Sequence, residues 1–140
     1  MKTKKILLGG VIGGITYFFL GWLVYGILLN DFMMLNYNQC SARPMEGMIW
    51  WAMILSNLAC GMLLSLIFSW INTKGVISGI KHGGIIGLLI AVSMDFSLYS
   101  MSTTFQNISA VFVDIITYSF MMAIAGAMIA WVMGLVKEKA

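Results

Sequence analysis

Charge is what this chain has least of: 9% of its 140 residues are Asp, Glu, Lys or Arg, while 61% are hydrophobic. A soluble domain carries about 25% charged residues, so a water-borne globule is excluded. Proline is nearly missing, with Pro44 alone, so the apolar runs hold no proline to kink them. One histidine and two cysteines give no paired zinc ligands, and neither a Ser-His-Asp set nor a phosphate-binding loop is readable. Hydrolysis and phosphoryl transfer are therefore not expected. The chain reads as a non-enzyme with no cofactor and no metal. Met33-Met34 and Met121-Met122 lack a Cys/His/Met cluster at ligand spacing, and His82 beside Lys81 reads as an interfacial residue.

Apolar runs fill the space that charge leaves. Four helices are expected over about 6–29, 48–71, 79–100 and 104–136, each reaching the roughly 20 residues that cross a bilayer. The connections are too short to fold alone. The expectation is one domain, 1–140, forming an all-α, four-helix transmembrane bundle. The first run exceeds the about 7–15 residues of a signal core and no small-residue cleavage site follows it, so it is read as a retained helix. Lys2, Lys4, Lys5, Lys74, Lys81, Lys137 and Lys139 fall on one side and only Arg43 on the other, which places both termini in the cytoplasm. The net charge of +3 then speaks for anionic membrane lipids as partners and not for nucleic acid.

Small residues mark the packing faces. Gly9, Gly13 and Gly21 recur with Tyr17 and Tyr25 at steps of four, Gly10 and Gly14 lie beside them, and Gly79, Gly83 and Gly87 repeat the device in the third run. Gly126, Ala130 and Gly134 do so more loosely. Such spacing lets helix backbones approach closely, within one chain or between copies of a homo-oligomer. Gly9-Gly10-Val11-Ile12-Gly13 resembles Gly83-Gly84-Ile85-Ile86-Gly87, a pattern that fits a duplicated helical hairpin.

The external loop, residues 30–47, contains Phe32-Met33-Met34-Leu35, too apolar for open water. It is expected to cap the bundle mouth. Pro44 and Glu46 suit the first turn of the second helix, and Thr103 with Gln106 has the spacing of a capping box for the fourth. Trp50 and Trp51 mark the outer headgroup level, Trp70 and Trp131 the inner. Cys40 in the loop and Cys60 near mid-membrane are too far apart in depth to be bridged. Cys40 reads as a free thiol, with pairing between two copies as the alternative.

Two aspartates interrupt the apolar runs. A charge at a helix centre costs ~2.5–3.5 kcal/mol on insertion scales, so Asp95 and Asp114 need compensation. The flanking anchors place Asp95 level with Asn57 and Tyr118, and Asp114 higher, near Tyr99 and Trp22. Asp95 and Tyr99 are four apart, as are Asp114 and Tyr118, so each acid shares a helix face with a tyrosine. Tyr25 completes the set. No basic residue is expected at that depth, and burial disfavours an unpaired charge. At least one carboxyl is therefore expected to keep its proton, giving an outward-facing pocket for a proton, cation or small amine. The bland alternative is that the acids are glue between helices or reach a watery vestibule. Two further readings stand beside it: an accessory subunit docking partner helices through its glycine faces, and a lipid-handling enzyme with an aspartate base.

Leu20-Gly21-Trp22-Leu23-Val24-Tyr25, followed by Phe32-Met33, resembles the first-helix signature of a bacterial four-helix membrane family catalogued only as a domain of unknown function. Trp22 is displaced from the position before Tyr25, which Val24 fills. Tyr118 and Gly126-Ala127-Met128-Ile129-Ala130-Trp131 resemble that family's last helix. The resemblance implies the four-helix architecture and no activity; the location expected for the chain is a bacterial inner membrane.

Overall fold

The structure, a computed structural model, describes residues 2–136. It is all-α: α1 (Lys2–Leu23), α2 (Asn30–Asn36), α3 (Trp50–Trp70), α4 (Val76–Met101) and α5 (Ile108–Leu135). A π turn, Val24–Leu28, extends α1, and a short 3-10 turn, Met45–Gly47, precedes α3. With that extension the four long helices run 27, 21, 26 and 28 residues and are apolar enough to cross a membrane. Their outer faces explain why they need one: Phe19, Trp70, Ile77, Leu89, Ile116 and Phe120 are all more than 60% exposed, a surface stable only against lipid. Lys137 and Lys139, which entered the count of basic residues, lie outside the described residues.

Helix α5 is the hub. α4 packs along it through small residues: a methyl group added at Gly79 would strike the Gly126 carbonyl, and one at Gly83 would lie 3.1 Å from Gly126 Cα. α1 meets α3 in the same way, since a methyl at Gly14 would lie 2.8 Å from Leu58 Cα and one at Gly61 would lie 2.9 Å from Gly14 Cα. The neighbouring face of α1 turns to α5, where methyls at Gly9 and Gly13 would press on the Ile129 side chain at 3.3 and 2.5 Å. The related glycine faces of α1 and α4 therefore do not occupy twofold-related places. Both rest on α5. Gly21 differs from the expected packing glycines, because a methyl there would meet only the end of Met121 at 3.8 Å, an ordinary contact. Leu64, Phe68, Met122, Ile129 and Ala130 form the buried core, and Ala91, Phe105, Ala110, Val111 and Ile115 a second cluster toward the loop end.

At the loop end the chain closes over the bundle. Phe32 and Tyr37 pack on the second cluster, while Met34 and Leu35 point outward, 59% and 76% exposed. The segment after α2 runs antiparallel to the α4–α5 turn: the Asn38 N–H donates to the Thr104 carbonyl at 2.9 Å and the Gln106 N–H to the Asn36 carbonyl at 3.0 Å. The rings of Tyr37 and Phe105 pack at a tilt of 60°, their centres 5.0 Å apart. This pairing engages residues 104–106, so the predicted start of the last helix near 104 moves to Ile108. Its cap is Asn107, whose side chain accepts from the Ala110 N–H at 2.9 Å, and not Thr103 with Gln106. Pro44 and Glu46 likewise miss the first turn of α3. The Gly47 N–H returns to the Pro44 carbonyl at 2.9 Å, closing a separate turn before the helix begins at Trp50.

Candidate functional site

The polar interior is built from one local irregularity and one folded-in loop. Where α1 widens into the π turn, the Leu29 N–H bonds to the Val24 carbonyl at 2.7 Å, and the extra residue re-aims Tyr25 into the bundle. Such single π turns recur at functional sites. The Tyr25 hydroxyl donates to Asp114 Oδ1 at 2.8 Å. From the capping segment the Tyr37 hydroxyl donates to the same oxygen, also at 2.8 Å. Two phenols from distant parts of the chain thus converge on one carboxylate, the strong, charge-assisted kind of hydrogen bond.

Asp95 lies beside this pair on α4. It is 6% exposed, and its carboxyl lies near enough to the Asp114 carboxyl for the two charges to interact. Its Oδ2 is buried with no hydrogen-bond partner among the described residues, and no ion pair reaches either acid there. A buried oxygen left without a donor costs about 1–3 kcal/mol or more. Burial first, and the Asp114 charge second, push the Tyr37 phenol above its ordinary value.

Below the acids the polar line continues. Tyr118 meets Tyr17 edge to face, ring centres 5.7 Å apart, and its hydroxyl lies 3.9 Å from Cys60 Sγ, which in turn is 3.7 Å from Met122 Sδ. Tyr118 is therefore part of the interior, joined to Tyr17 and Cys60 instead of Asp114. Three expected members stand elsewhere. Tyr99 is 41% and Trp22 56% exposed, because each side chain leaves its helix on the outward side. Asn57 donates to the Met53 carbonyl of its own helix at 2.7 Å, a local bond that satisfies it without the acids. Tyr37 is the residue sequence reading missed. Its signal was the apolar stretch before it, which made the loop a cap, but no period marks which loop residue enters.

Four apolar spans and a polar centre define the chain as a multi-pass membrane protein. It matches no protein-family model, no curated protein and no solved structure.

Proposed function

We propose that this is a small inner-membrane protein, both termini cytoplasmic, that binds a proton or a small cation at the Asp95–Asp114 pair and exchanges it with the outer side beneath the Tyr37 cap. One observation carries the reading: a buried carboxyl oxygen of Asp95 without a donor, beside a second carboxyl that already accepts from two tyrosines. Two neighbouring ionised carboxylates repel strongly in a dry interior, and a shared proton or a bound cation removes that repulsion. Intramembrane acids of this kind mark ion and proton pathways. The bundle is filled by side chains, so passage across it requires rearrangement or a path between two copies.

The glycine faces do not favour an accessory subunit. Gly9, Gly13, Gly83, Gly87 and Gly126 are buried against the chain's own helices, which leaves them nothing to offer a partner.

The test is proton and monovalent-cation flux in proteoliposomes, together with the infrared C=O band of a protonated carboxyl in the same samples. Wild-type protein is expected to show both, and Asp95→Asn and Asp114→Asn, shown folded by circular dichroism, to lose them. Flux and band unchanged in both variants overturn the proposal.

A further inference from the structure

We propose that the ligand of the acid pair is a proton and that Asp95 carries it, with Asp114 as its fixed negative neighbour; this rests on the reading of the pair as a binding site given above. The two carboxyls are not equivalent. Asp114 is only partly buried, and its Oδ1 accepts two phenol hydrogens, from Tyr25 and from Tyr37, each at 2.8 Å. Such donors favour the ionised acid. Asp95 is 6% exposed, and its Oδ2 is buried with no hydrogen-bond partner among the described residues. An ionised oxygen there lacks both water and a donor, whereas a protonated carboxyl has no charge to desolvate. The titratable groups of this interior are Asp114 and Tyr118 on α5, Tyr25 in the π turn, Tyr37 in the capping segment, and Tyr17 and Cys60 beside Tyr118. None of them is basic. The phenols thus hold one negative charge on Asp114, and a proton on Asp95 removes the second, as in carboxyl pairs that share a site.

The ligand supply separates a proton from a metal cation. A proton needs one lone pair, and a hard metal cation takes about six oxygen ligands. Among the described residues no third His, Cys, Asp or Glu completes a metal-holding group with the pair. The Tyr25 and Tyr37 hydroxyls turn their hydrogens toward Asp114. Nearby polar side chains are engaged on their own helices: Asn57 donates to the Met53 carbonyl at 2.7 Å and the Ser119 hydroxyl to the Ile115 carbonyl at 2.6 Å. These bonds leave the pair short of ligands for a dehydrated metal ion.

The experiment is infrared spectroscopy of the full-length protein in proteoliposomes at neutral pH, read at the C=O band of a protonated carboxyl. Asp95→Glu should move the wild-type band, and Asp114→Glu should leave it in place. A band moved by Asp114→Glu alone, or equally by both, overturns the assignment. Tyr25→Phe and Tyr37→Phe keep both acids and should leave the band where it is, because the phenols donate to the ionised neighbour. A shift to higher frequency in both shows that the protonated carboxyl was their acceptor, which puts the proton on Asp114 and overturns the proposal. Asp114→Asn is expected to lose the band although Asp95 holds the proton, since it removes the neighbouring charge and offers an amide donor. Sodium, lithium or methylammonium chloride added at constant pH should leave the wild-type band unchanged. Loss of the band on adding any of them shows a cation replacing the proton, which overturns the proposal while the pair stands as a cation site. A wild-type spectrum without the band overturns it too, and if flux is also absent it overturns the reading on which it rests.

Discussion

Removing the hydroxyl of Tyr37 tests the site at its most specific contact. Tyr37→Phe keeps the ring on Phe105, 5.0 Å between centres, and deletes only the O–H that reaches Asp114 Oδ1 at 2.8 Å. A hydrogen bond to a charged group contributes about 1.5–3 kcal/mol, so a destabilisation of about 2 kcal/mol is expected. In an Asp114→Ala background that acceptor is gone. The tyrosine hydroxyl is then a half-buried donor without a partner, and its removal should cost nothing or restore up to about 1 kcal/mol. The double-mutant coupling is thus about 2–3 kcal/mol, well above the roughly 0.3–0.5 kcal/mol scatter of independent sites. Tyr25→Phe should couple to Asp114 by a similar amount, because it uses the same oxygen. Equilibrium unfolding by SDS in mixed micelles, followed by far-ultraviolet ellipticity, measures the cycle, with exposed Tyr99→Phe as the uncoupled control. Coupling below about 0.5 kcal/mol for both tyrosines would refute the convergent-phenol geometry.

Other perturbations separate packing from polarity. Gly61→Ala should destabilise by about 1–3 kcal/mol or more, since the added methyl meets rigid α1 backbone. Gly134→Ala, with nothing within 4 Å, should stabilise by about 0.5–1 kcal/mol; equal effects in the same SDS titration would contradict the packing described. Asn107→Ala removes the α5 cap and should cost about 1 kcal/mol, with Asn107→Asp restoring most of it. The raised Tyr37 phenol contributes stability that is complete below its unfolded value near pH 10 and is lost only as pH climbs through the higher folded value. The phenolate absorbance difference between wild type and Tyr37→Phe should therefore be absent at pH 10 in the folded protein and appear once it is unfolded.

The spans, the small-residue faces and the capping loop were legible because each rests on a property that sequence carries directly: continuous hydropathy, a step of four, an apolar stretch in a polar neighbourhood. The partners of the acids were not. An i,i+4 step put Tyr99 with Asp95 and Tyr118 with Asp114, but spacing gives only a shared face. It does not say which neighbouring element faces it. Asp114 instead takes Tyr25, aimed by a π turn that no residue announces, and Tyr37, which arrives through backbone pairing with residues 104–106. The same pairing explains the misplaced helix start. Thr103 and Gln106 have cap spacing, yet the Thr103 hydroxyl accepts from the Asn38 amide and the Gln106 N–H donates to the Asn36 carbonyl, and Asn107 takes the cap instead.

The central place of α5 sets an order on biogenesis. It is the last of the four spans to leave the ribosome, and it carries the surfaces on which both α1 and α4 rest. Until it enters the bilayer, the Gly9–Gly13 groove of α1 and the Gly79–Gly83–Gly87 groove of α4 face lipid, and Asp95 waits without Asp114. The nascent chain is therefore at its most vulnerable to membrane quality control just before its final helix inserts, and a stall there leaves exposed acid and open grooves together.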